Sequence, residues 1–154
     1  MDKKAFIKAV RNWESQTVAA AIAKEHALAR YVDKNGKAPL HHCAEIDPRK
    51  YGFKVSNSIA TAKVLLDAGA NVIIIDDGEK FLATPLWYAI AWGKNHALAR
   101  LLLETGAHPD DKEELLRHGA KPDIKAKDRS TPISLAHATG KSKLISLLRS
   151  FRGV

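Results

Sequence analysis

The sequence predicts an all-α chain, a solenoid of about four repeated helix–turn–helix units. Three observations carry this. "APLHHCAE" from Ala38, "TPLWYAIAWG" from Thr84 and "TPISLAHATG" from Thr131 align by eye, and each leads into an apolar run. Two of those runs end in a shared pattern, "LLDAGAN" at Leu65 and "LLETGAH" at Leu102. A third copy of that ending, "LLRHGAK", begins at Leu115.

Each piece has a local physical reason. Thr84 and Thr131 offer hydroxyls as helix caps, and Pro85 and Pro132 fit the first helical position, where no N–H is needed. Leu40, Leu86 and Ile133 then open a buried stripe, and small residues (Cys43, Ala44, Ala89, Ala136) allow close helix approach. Gly69, Gly106 and Gly119 stand where a left-handed cap ends the second helix.

With these signals in place, the sequence resembles the ankyrin repeat family, whose Thr-Pro-Leu-His-x-Ala signature "APLHHCAE" and "TPLWYAIA" follow in part. The resemblance covers nearly the whole chain. It implies approximate units at 1–32, an N-terminal cap without the Thr-Pro signature, then 33–76, 77–110, a truncated repeat at 111–120, and a C-terminal cap at 121–154. Terminal repeats of such stacks are expected to be atypical. In "KLISLLRSFRGV", Leu144, Ile145, Leu147, Leu148 and Phe151 are expected to face the core.

Two departures stand out. The Pro39–Pro85 and Pro85–Pro132 intervals are 46 and 47 residues, against a family repeat of about 33. The first interval holds an insertion, Ile46–Ser58, in which Arg49, Lys50, Tyr51, Phe53 and Lys54 interleave charge with aromatics. It reads as a solvated loop whose aromatics fold back on the helices, or as a recognition loop. The same interval holds "VIIIDDGEKFLATP": Val72–Ile75 has strand composition and Asp77-Gly78 signals a turn, which predicts a β-hairpin finger. In the second interval Gly106 and Gly119 lie 13 residues apart with no first helix between them. About 20 residues of a full repeat are expected to be absent between Ala107 and Lys112.

Composition narrows the function. The chain has 154 residues, of which 45% are hydrophobic and 27% charged, as in ordinary globular proteins. A lone cysteine makes no intramolecular disulfide, which points to a reduced, cytoplasmic setting. The N-terminal charges rule out a signal-peptide apolar core, and no membrane span is expected. The net charge of +8 is uneven: Met1–Ala120 holds 17 basic and 15 acidic residues, Lys121–Val154 holds 8 and 2.

No catalytic constellation is found. The sequence lacks a glycine-rich phosphate loop, an H-E-x-x-H helix and a C-x-x-C pair, and Asp76-Asp77 and Asp110-Asp111 read as turn residues. His41, His42 and Cys43 are adjacent, and successive helical residues point about 100° apart, a poor geometry for one metal. The resemblance makes His41 the signature histidine with structural hydrogen bonds, and Cys43 a buried small residue. Neither an enzyme, a cofactor nor a metal is expected.

The resemblance also implies a non-catalytic module that binds a protein partner through a concave face and its fingers, and is itself a monomer. Residues mapped to that face are Arg11, Glu45, Ile46 and Trp92 at the ends of first helices, and Lys37, Lys80, Phe81 and Arg129 in the fingers. Trp92 is the expected hot spot, although it can equally fill a gap between repeats. Tyr88, four residues earlier, reads as core. The alternative is nucleic acid or another polyanion held by Lys125, Lys127, Arg129 and the rest of the basic C-terminal segment.

Overall fold

A computed structural model describes residues 1–76, 83–108 and 131–151. Among these residues the chain forms four helix pairs that pack in series. They are α1 (Lys3–Arg11) with α2 (Ser15–Lys24), α3 (Pro39–Ala44) with α5 (Val55–Asp67), α6 (Pro85–Ala91) with α7 (His96–Glu104), and α8 (Pro132–Ala138) with α9 (Ser142–Ser150). A 3-10 turn, His26–Arg30, follows α2, and a one-turn helix α4, Pro48–Tyr51, lies between α3 and α5. The first helices form one layer, α1 on α3 on α6 on α8. The helix that begins at Pro132 therefore sits directly beside the one that begins at Pro85, with no layer between them.

The predicted start signals act as expected. Thr84 Oγ1 accepts from Trp87 N–H at 3.3 Å, and Thr131 Oγ1 accepts from Ser134 N–H at 3.2 Å while Ser134 Oγ takes the Thr131 N–H at 2.8 Å. That reciprocal pair is a capping box. Between the helices of each pair one residue takes the left-handed conformation, which reverses the chain just before the next helix. It is Trp13 (φ 56) after α1, Gly52 (φ 67) before α5, Lys94 (φ 48) after α6 and Gly140 (φ 64) after α8. Two of these are not glycine and carry backbone strain. At Trp13 the indole compensates: it is buried, and its Nε1–H donates to Cys43 O at 3.0 Å, which ties the first pair to the second.

The core is one continuous apolar cluster that includes Phe6, Leu40, Leu65, Leu86, Leu98, Leu102, Leu144 and Leu148, with Ile145, Leu147 and Phe151 packed at its margin. Neighbouring pairs approach closely at Gly93, where an added Cβ would lie 2.1 Å from Ala44 O. Backbone cannot yield there as a flexible side chain would. Gly93→Ala is therefore expected to cost about 2 kcal/mol, in the range of overpacked cores, read as a lower urea midpoint. An unchanged midpoint would mean that α3 and α6 are not in this contact.

No strand occurs among the described residues, which corrects the expectation at Val72–Ile75. Those residues form a turn and an irregular segment. Asn71 Oδ1 accepts the Ile73 N–H at 3.0 Å, a side-chain turn that competes with a ladder. The two ends of the expected finger are nevertheless held together, since Asp76 N–H donates to Ala83 O at 3.1 Å. Its tip, with Asp77, Gly78, Lys80 and Phe81, lies outside the described residues, as do Arg129, the 111–120 unit and most of the expected gap after Ala107. The inserted Ile46–Ser58 segment folds partly back. Phe53 packs on Trp13 with ring centroids 5.4 Å apart, while Tyr51 is 53% exposed.

Candidate functional site

Four of the residues mapped to the expected binding face, Arg11, Lys37, Glu45 and Trp92, fall into one connected group. Glu45 caps the C-terminal end of α3 with its side chain largely covered. Its carboxylate takes a hydrogen bond from the Arg11 guanidinium and another from Lys37 Nζ at 2.7 Å. The Lys37 ammonium also lies 4.5 Å over the centre of the Tyr88 ring, a favourable site for a cation. Tyr88 in turn meets Trp92, with centroids 6.1 Å apart. The chain Arg11–Glu45–Lys37–Tyr88–Trp92 thus runs across the first helices of three successive pairs.

Beneath it lies a second polar layer. His42 Nε2 is 2.9 Å from Asp33 Oδ2 and its Nδ1 is 3.2 Å from Glu45 Oε1. Asp33 also shapes the turn before α3: its Oδ1 accepts the N–H groups of Asn35 and Lys37 at 2.8 and 3.0 Å, and Gly36 turns the chain at φ 74. Burial alone would raise the Glu45 carboxyl, but hydrogen bonds from His42 and Lys37, with the charges of Lys37 and Arg11, hold it down to about 2. Asp33 follows the same logic: burial opposes its charge, and the backbone N–H groups and His42 bring it below the ordinary value.

The neighbours His41 and Cys43 point elsewhere, so the three adjacent residues form no common site. Ala38 has no side-chain oxygen to cap α3, and His41 supplies the reverse half of a capping box. Its Nδ1 accepts the Ala38 N–H at 2.9 Å. That leaves Nε2 protonated, and it donates to Ala83 O, 3.0 Å away in the next unit. Burial pushes His41 down to about 4, so it stays neutral in the folded chain near neutral pH. Trp87 and Ser134 hold the equivalent places, and only Ser134 rebuilds the capping bond. Cys43 is buried with its Sγ 3.7 Å from Ser58 O, and burial pushes its thiol up to about 12. That is an inert packing cysteine.

The expectations for two residues need revision. Ile46 is only 5% exposed and packs in the core rather than on a contact face. Asp76, read as a turn residue, is buried and joins the finger base to α6. It accepts the Ala83 N–H at 2.7 Å through Oδ1 and the Tyr88 hydroxyl at 2.6 Å through Oδ2. Burial, reinforced by the Asp76 carboxylate, raises Tyr88 well above the usual phenol range. A tyrosine at a core position is the signal for such a partner, since its hydroxyl must be satisfied when buried. Sequence spacing alone does not say which acid supplies it.

Trp92 is the exposed end of this group. It caps α6, 48% exposed, with one side against Tyr88. No helix among the described residues is long and apolar enough to cross a membrane. No curated protein sequence matches the chain. The family model of the ankyrin repeat, however, matches residues 82–114, the stretch that holds Thr84-Pro85, α6, Trp92 and α7, and the chain therefore carries an ankyrin repeat there.

Proposed function

We propose that this chain is a non-catalytic binding module that docks a protein partner on the face formed by Arg11, Lys37, Glu45 and Trp92. Ankyrin repeats are in general protein–protein interaction modules, and the observation that carries the reading here is the half-exposed Trp92. A half-exposed large aromatic is suited to a hot spot, because docking buries more of it at little cost in side-chain freedom. The ionic group beside it is already paired, so it sets orientation and partner choice more than raw affinity. The finger residues Lys80, Phe81 and Arg129 complete the proposed surface.

The two possible roles of Trp92 differ in their cost. As a half-exposed contact residue resting against Tyr88, Trp92→Ala is expected to lower stability by about 1 kcal/mol, the worth of an aromatic pair. Loss of partner binding should be larger, about 2 kcal/mol or more. A buried aromatic between repeats would instead cost about 3–5 kcal/mol of stability. A urea melt of the variant decides between them, and a loss in the larger range would move the proposed contact to Phe81 and the finger tips.

A further inference from the structure

A different surface of the stack is set apart by its charge. The segments that lead into and open the second helices carry Arg49, Lys50, Lys54, Lys94, Lys141 and Lys143, and the only acid in residues 47–58, 93–97 and 139–146 is Asp47. The first turns of α5, α7 and α9 hold no acidic residue. The cations are drawn together in space: Asp47 Oδ2 stands 3.2 Å from Arg49 Nη2 and 3.8 Å from Lys94 Nζ. Burial, then the charges of Lys141 and Arg49, lower His96 between them. One acid thus serves two cations from different repeats, and like charges otherwise face one another, which costs free energy unless a partner neutralises them.

Lys94 adds an independent mark. It is held at φ 48, while the corresponding turn after α8 uses Gly140 for the same conformation. A lysine kept where glycine would be unstrained is a local rule broken for only one exposed ion-pair contact, with Asp47, the pattern expected at a working residue. At the end of the row Tyr51 is exposed, with Lys50 Nζ 5.9 Å from its ring centre.

We propose that this ridge docks an extended acidic polypeptide segment with a carboxylate at about every third residue. Packed helices lie about 8–10 Å apart, so successive turns present cations at that interval, and a chain extended as polyproline II advances about 3.1 Å per residue with three residues per turn, which returns every third side chain to the same face. Every third side chain then meets the next cation. A nucleic acid is a poorer match, since each strand of a duplex carries a charge about every 3.4 Å, roughly three times denser than the ridge. Tyr51 receives an apolar side chain at one end of the segment.

The test uses the full chain and a fluorescein-labelled peptide of four Glu-Gly-Ser triplets, with an oligothymidylate of equal length as competitor, read by anisotropy at low salt. Saturable peptide binding is expected, weaker as salt rises. Lys94→Glu and Lys141→Glu are each expected to weaken it about fivefold or more, and Asp47→Asn, which can still cap α4, is expected to tighten it. Lys24→Glu and Arg149→Glu make the same change in net charge at the far ends of α2 and α9 and should leave binding within about twofold. The proposal is overturned if these control variants weaken binding as much, if no saturable binding occurs, or if the oligothymidylate binds more tightly than the peptide. Because the ridge variants reverse exposed charges and Asp47→Asn should act in the opposite direction, a folding defect cannot imitate the whole pattern.

Discussion

Asp76→Ala is expected to destabilise the folded chain by about 3 kcal/mol, because it leaves two buried donors, the Ala83 N–H and the Tyr88 hydroxyl, without an acceptor. Each unsatisfied buried group costs about 1–3 kcal/mol. The same carboxylate joins Ala83 to α6, so its loss should also loosen that connection. Tyr88→Phe removes only the hydroxyl and should cost about 1–2 kcal/mol by stranding one Asp76 oxygen. The double variant should then cost less than the sum of the two, with a coupling of about 1 kcal/mol or more. Urea midpoints of the four proteins give all these values. A cost for Asp76→Ala within about 0.5 kcal/mol, as for an ordinary surface site, would show that this network does not hold the finger.

Acid should weaken the fold through His41. The folded chain holds this imidazole neutral down to about 4, while in the unfolded chain it protonates at its ordinary value of 6.5. Below 6.5 the unfolded state therefore binds the extra proton first, and stability that is full above 6.5 is lost as pH falls toward 4. The whole window corresponds to about 3 kcal/mol, of which about 2 kcal/mol should be gone by pH 5. His96, also lowered by burial, adds in the same direction. Glu45 and Asp33 act later: their lowered values keep their contribution intact above the ordinary carboxylate range and release it only below. His41→Asn retains an acceptor for the Ala38 N–H but loses the bond to Ala83 O. It should be about 1–2 kcal/mol less stable than the parent at pH 7 and close to it at pH 5. Stability curves that stay parallel over this range would contradict the assignment.

Three of the four first helices could be read from local chemistry, because α3, α6 and α8 start at Ala-Pro or Thr-Pro with a leucine or isoleucine two residues on. Such signals depend only on neighbours in sequence. At the misread places a competing contact, local or distant, overrides the composition. Val72–Ile75 has the side chains of a strand, yet an Asn71 turn claims its backbone and no ladder forms among the described residues. Ile46 follows directly on Glu45 at the end of α3, yet its side chain is buried in the core. The polar group under the proposed binding face is only half legible in the sequence. Arg11, Lys37 and Glu45 were placed on one face by the repeat pattern, whereas Asp33, His42 and Asp76 are recruited by contacts 9, 3 and 12 residues away along the chain.

If Trp92 anchors a protein partner, capture from native lysate, treated with nuclease and performed in parallel with the parent and Trp92→Ala, will separate partner from background. Proteins retained by the parent after nuclease treatment should fall about tenfold or more in recovery with the variant, as a loss of about 2 kcal/mol implies, while the variant still melts as a folded protein. Equal recovery by the two proteins, or retention that disappears for the parent once nucleic acid is digested, would contradict a protein-binding face centred on Trp92.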